Sequence, residues 1–127
     1  MKPVERVLVI DDDATVIFLT KRMLSGLGID GGVHIAHNGL EGLERIREAA
    51  EQGLLPQLVL LDIKMPVMDG FAFLEELAKL NLNLTETKVV LLTSSQSPWD
   101  KERAAKSQAD ALLYKPLTKE TLRSILM

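Results

Sequence analysis

Val7-Leu8-Val9-Ile10-Asp11-Asp12-Asp13, near the start of the chain, and Leu58-Val59-Leu60-Leu61-Asp62, near its middle, share one plan. Four consecutive apolar residues run directly into carboxylates. A strand with one solvated face alternates apolar and polar residues, whereas an unbroken aliphatic run fits a strand covered on both faces, as in a parallel sheet. Three further runs, Val33–Ala36, Val89–Leu92 and Ala111–Tyr114, repeat the pattern along the chain.

The segments between the runs have helical spacing. Val16, Leu19, Met23 and Leu27 form one stripe, stopped by Gly28; Leu40, Leu43, Ile46 and Ala50 form a second, followed by Gly53. Phe71, Leu74, Leu77 and Leu80 form a third, and Leu122, Ile125 and Leu126 a fifth. The fourth, Trp99–Ser107, has a thin apolar face of Trp99, Ala104 and Ala105. Its start is well marked, with Ser97 as cap, Pro98 in the first position and Asp100 at capping-box spacing. Strand–helix alternation predicts βαβ units with right-handed crossovers, hence an α/β fold: a parallel five-stranded sheet between two helical layers. The longest irregular stretch, Asn81–Lys88, holds Leu82 and Leu84, expected as loop contacts with the core.

Composition narrows the function. The 127 residues suit a single domain, 1–127, and 46% hydrophobic content with a mean hydropathy of +0.11 suits an ordinary globule. Aromatics are only 4%, so the core is mainly aliphatic. The absence of cysteine excludes disulfides, thiolate metal sites and cysteine nucleophiles. A net charge of −3 and a pI near 5.4 lack the basic surplus of nucleic-acid binders. Met1-Lys2-Pro3-Val4-Glu5-Arg6 carries charge where a signal peptide needs apolar residues, and no run approaches the ~20 residues of a membrane span. A soluble, cytoplasmic protein is expected, with no nucleic-acid or membrane partner.

In open α/β sheets, ligands bind beyond the carboxyl ends of the strands. Those ends carry Asp11, Asp12 and Asp13 on the first strand, Asp62 on the third, Thr93, Ser94 and Ser95 on the fourth, and Lys115-Pro116 on the fifth. Helix capping accounts for Asp13 and Ser97. It does not account for Asp11 and Asp12 beside Asp62 on a neighbouring strand. Carboxylates that close raise one another's pKa unless a cation joins them, and oxygen ligands without His or Cys suit magnesium or calcium. Phosphate chemistry at such a site favours magnesium. Lys115 and the Thr93 hydroxyl complement an oxyanion, so the set fits phosphoryl transfer with a carboxylate nucleophile.

These residues resemble the receiver domains of bacterial two-component response regulators. The resemblance rests on Val-Leu-Val-Ile-Asp11-Asp12-Asp13, Leu-Leu-Asp62-Ile-Lys-Met65-Pro66-Val-Met-Asp69-Gly70, Val-Leu-Leu-Thr93-Ser94-Ser95 and Tyr-Lys115-Pro116. It extends over essentially the whole chain and, with nothing after the fifth helix, looks like the stand-alone chemotaxis-regulator kind without an output domain. It implies a doubly wound, flavodoxin-like sandwich with strand order 2-1-3-4-5. It also implies that Asp62 is the phosphoacceptor for a sensor histidine kinase or phosphotransfer protein. Asp11 and Asp12, with Asp62 and the Lys64 carbonyl, would bind Mg2+, Asp12 directly and Asp11 through water. Thr93 would be the switch hydroxyl and Lys115 the phosphoryl's partner. A cis Lys115-Pro116 bond is implied, and Pro66 and Gly70 would shape the loop behind Asp62. Such a chain is an acceptor and switch, not an enzyme beyond hydrolysing its own phosphoryl group, and acts as a monomer or a phosphorylation-dependent dimer.

Leu112 departs from the pattern, because the family usually places Tyr or Phe three residues before the lysine. Tyr114, two residues on, lies on the same strand face, with packing at the fourth helix as its expected role; the conformational signal would then depend on Thr93 and that helix. His34 and His37 lack ligand spacing and are expected to pack on the surface or in loops. Trp99 serves either a partner or its own helix, and the Lys64 side chain either solvent or the phosphoryl group. Two rivals remain. Asp11-Asp12-Asp13-Ala14-Thr15 also fits the start of haloacid-dehalogenase-type phosphatases, with Asp11 as nucleophile and Asp13 as acid/base, but then Asp62 has no task. The other is a receiver-shaped binding module that takes no phosphate, supported only by Leu112.

Overall fold

The computed structural model describes residues 3–126. Strands and helices alternate without exception: β1 Val7–Ile10, α1 Ala14–Gly26, β2 Val33–Ala36, α2 Gly39–Glu51, β3 Leu58–Asp62, α3 Gly70–Lys79, β4 Lys88–Thr93, α4 Pro98–Lys106, β5 Ala111–Tyr114 and α5 Lys119–Leu126. The strands form one parallel sheet in the order β2-β1-β3-β4-β5, as expected.

Alternate strand residues face opposite helical layers. Leu8, Ile10, Val59, Leu61, Val89 and Leu91 pack with α2, α3 and Ala104 of α4. Val7, Val9, Leu58, Leu60, Val90 and Leu92 pack with α1 and α5. Double coverage holds for β1, β3 and β4, whose apolar residues are all buried. It fails for β2 and β5, which keep exposed positions, because an edge strand has a neighbour on one side only. Leu82 and Leu84 pack against the α2–α3 side of the core, as expected of loop contacts.

The helices rotate somewhat differently from their sequence stripes. In α1 the buried residues are Ile17, Thr20 and Leu24, while Leu19 is exposed. Both sets satisfy three-and-four spacing, and tertiary packing selects the second; Asp13 fixes the start of the helix by accepting the N–H groups of Thr15 (2.8 Å) and Val16 (3.2 Å). In α2, Leu43 and Ile46 are buried and Leu40 is exposed. The α3 stripe holds, with Phe73 added to it. Gly28 and Gly53 take positive φ just past α1 and α2, where only glycine turns the chain without strain. Ser97 caps α4 by accepting the Trp99 N–H at 3.2 Å. Only Ala104 of α4 is buried; Trp99 is 69% exposed.

Candidate functional site at the strand tips

Parallel register brings the strand ends to one edge. Ile10 aligns with both Ala36 and Leu61, Asp62 with Leu92, and Thr93 with Tyr114. Asp11 continues the β1–β2 ladder by donating its N–H to the Ala36 carbonyl at 3.0 Å. The next residues therefore emerge beside Asp62. Behind it the loop closes tightly: the Gly70 N–H reaches the Ile63 carbonyl at 2.8 Å, and a Cβ at Gly70 would lie 2.6 Å from the Asp62 carbonyl oxygen. Only glycine fits so close to the backbone that carries Asp62.

Asp11, Asp12 and Asp62 each offer a carboxylate oxygen, all within 4.8 Å of one another. Asp11 and Asp62 are buried and Asp12 is exposed. Lys115, at the end of β5, sends its Nζ to Asp11 Oδ2 at 2.9 Å and to Asp62 Oδ1 at 3.3 Å. The other Asp11 oxygen accepts the Asp13 N–H at 2.9 Å. Lys115 is held by its own N–H on the Thr93 carbonyl at 2.8 Å, and the Lys115-Pro116 bond is cis, as the resemblance implied. Thr93 is buried, and its hydroxyl accepts the Ser95 N–H at 2.9 Å.

The charges compete. Burial and the neighbouring Asp11 carboxylate push the Asp62 carboxyl up to about 6, against the pull of Lys115. Burial lowers the Lys115 ammonium, but the Asp11 hydrogen bond and the charges of Asp11 and Asp62 more than offset this and hold it above the ordinary lysine value. One ammonium faces three carboxylates. The remaining negative charge, on hard oxygen donors alone, fits a divalent cation of the magnesium or calcium type.

Asp11, Asp12, Asp62 and Lys115 thus converge, with Thr93 on the adjoining strand end. Lys64 is exposed, two residues beyond Asp62. Leu112 packs into the α2–α3 side of the core, while Tyr114 is 45% exposed. His34 is exposed; His37 is also exposed, its Nδ1 3.1 Å from Glu41 Oε1. Sequence reasoning missed two caps, Asn38 on Glu41 N–H at 2.9 Å and Asp69 on Ala72 N–H at 2.8 Å. Asp69-Gly70 directly before the Phe71 stripe was the available signal.

Residues 7–127 match the family described as response regulator receiver domain. Sensor histidine kinase CheAY of Helicobacter pylori is 34% identical over 119 residues, 94% of this chain but only 14% of that protein. Protein PilG of Pseudomonas aeruginosa is 32% identical over 117 residues, 92% of this chain and 81% of that one. A crystal structure of a two component response regulator from Cytophaga hutchinsonii superposes with a TM-score of 0.85 at 28% identity, covering 98% of this chain and 95% of the other. The chain therefore spans a small part of the kinase and most of PilG. With that family goes the signalling-switch fold, and the dehalogenase-type reading falls. The chain belongs to the response regulator receiver domain family, the phosphorelay signalling modules of two-component systems.

Proposed function

We propose that Asp62 is the phosphoacceptor and that Asp11, Asp12, Thr93 and Lys115 serve its phosphorylation by a sensor histidine kinase or a phosphotransfer protein. The observation that carries this reading is the buried Asp62 carboxylate, held at a strand tip between Asp11 and Lys115. An Asp62 oxygen attacks the phosphorus of a phosphohistidine. The P–N bond breaks, and its electron pair leaves with the imidazole, which takes up a proton. The product is an acyl phosphate on Asp62.

Lys115 already reaches Asp62, so it can move from carboxylate to phosphoryl oxygen with little displacement. The Thr93 hydroxyl accepts the Ser95 N–H and keeps its own proton to donate. Magnesium, held by Asp11, Asp12, Asp62 and the Lys64 carbonyl, would neutralise charge on the phosphoryl oxygens. Both Asp11 oxygens are engaged, by Asp13 and Lys115, whereas Asp12 faces solvent, which supports direct ligation by Asp12 and a water-mediated role for Asp11.

Water later cleaves the acyl phosphate, so turnover is confined to the chain's own phosphoryl group. Between these events the dianion draws Thr93 inward and shifts α4 and β5, changing affinity for a protein target in the cytoplasm. The test is incubation with a small acyl phosphate donor and magnesium, then mass spectrometry. A base-labile adduct on Asp62, lost in Asp62→Asn, is expected. No adduct in the wild type, or an undiminished adduct in the variant, would overturn the assignment and favour the phosphate-free module.

A further inference from the structure

Helix α4 is held by very little. One of its nine residues, Ala104, is buried, and a single methyl removes little apolar surface from water. A cleft of about 590 Å3 separates it from α3, with Phe71, Leu74, Ala78, Lys106 and Ser107 among its walls. Across this cleft the Arg103 guanidinium stands 4.1 Å from the centroid of the Phe71 ring. Phe71 borders an open cleft yet is only 5% exposed, so the arginine helps to cover it.

The two partners report to opposite sides of the strand-tip site. Phe71 follows Gly70, whose N–H is bonded to Ile63, the residue after Asp62. Helix α4 is joined to Thr93 by a ladder of hydroxyls. Thr93 Oγ1 accepts the Ser95 N–H at 2.9 Å, Ser95 Oγ accepts the Ser97 N–H at 3.2 Å, and Ser97 Oγ accepts the Trp99 N–H at 3.2 Å. Movement of the Thr93 hydroxyl toward a phosphoryl group on Asp62 takes the acceptor from the first rung. The stacked Arg103 then still ties α4 to α3, beside the buried Ala104.

We propose that Arg103, stacked on Phe71, is a positioning residue that holds α4 in its unphosphorylated arrangement and sets how readily a phosphoryl group on Asp62 displaces it. The proposal rests on the reading of Asp62 as phosphoacceptor. A cation–π contact at a partly exposed site is worth a two- to fivefold bias in a two-state equilibrium, by order of magnitude. Removing the cation therefore raises the population of the displaced α4 by about that factor.

The experiment compares wild type, Arg103→Met (stem without charge) and Arg103→Lys (charge kept). Hydrogen exchange of the α4 amides is measured without ligand. Emission of Trp99, the chain's single tryptophan, is then followed through a titration with beryllofluoride and magnesium. Arg103→Met should exchange about two- to fivefold faster in α4 and reach its emission midpoint at a correspondingly lower beryllofluoride concentration, with Arg103→Lys restoring both. Unchanged α4 exchange in Arg103→Met, or an unchanged or higher midpoint, would overturn the proposal even if the variant were less stable overall. A wild type whose emission ignores beryllofluoride would instead sink the phosphoacceptor reading and the switching role built on it. That result is distinct from a responsive wild type matched by its variant.

Discussion

Replacing Asp62 by Asn should make the metal-free protein more stable at neutral pH, although it removes the proposed phosphoacceptor. The Asp62 carboxyl stands near 6 in the fold against an ordinary 3.8, and each pKa unit is worth about 1.4 kcal/mol. A folded value above the unfolded one means that the native state prefers the protonated acid. The associated stability is fully present below 3.8 and is lost as pH rises through about 6. Near pH 7.5 the ionised Asp62 therefore costs about 3 kcal/mol; near pH 4.5 the cost falls to about 1 kcal/mol. Asn carries no such titration but is itself a buried polar group beside Lys115, so a net gain of about 2 kcal/mol is expected near neutrality.

For a chain of this size that gain corresponds to a melting temperature higher by roughly 6–10 °C. The assay is thermal unfolding of wild type and Asp62→Asn with a chelator present, at both pH values. The gap should narrow on acidification. Saturating magnesium should raise the melting temperature of the wild type more than that of the variant, because it binds only the folded carboxylate cluster. A variant less stable than the wild type near pH 7.5 in chelator, or a gap indifferent to pH, would refute the argument that burial and Asp11 load Asp62 with unfavourable charge.

Lys115→Met leaves Asp11 and Asp62 facing each other without their shared cation; urea unfolding in chelator should show a loss of about 3 kcal/mol, most of it recovered when Asp62→Asn is added. In Gly70→Ala the new Cβ meets backbone at 2.6 Å from the Asp62 carbonyl and 3.0 Å from Ile63 Cα. That change should cost about 2 kcal/mol or more and slow phosphorylation by a small donor, both measurable on the purified variant. Val67 sits at φ 69 with its side chain 77% exposed, strain that no packing offsets. Val67→Asn should therefore raise stability by about 1 kcal/mol, and a lower melting temperature would contradict that account.

Much of the molecule was legible in one dimension because the relevant physics is local or periodic. Runs such as Leu58–Leu61 announce a doubly covered strand, and Asp13 and Ser97 announce caps by their place before an apolar period. The rotation of α1 was not legible, since Val16, Leu19 and Met23 compete on equal spacing with Ile17, Thr20 and Leu24. Nor was the exposure of Trp99 and Tyr114, since α4 buries so little and β5 is an edge strand. Arg103 on Phe71 joins residues far apart in sequence, and no local pattern signals it.

The order of apolar runs, helical stripes and terminal carboxylates by itself determined that this chain folds as a doubly wound parallel sheet with acids, hydroxyls and one lysine at the strand ends. Only the tertiary structure decided that Asp11, Asp12 and Asp62 share a space under 5 Å across and that Lys115 bridges two of them. Side-chain type and period are properties of a segment. Distance, burial and the resulting charge on Asp62 arise only when parallel register sets β1, β3, β4 and β5 beside one another.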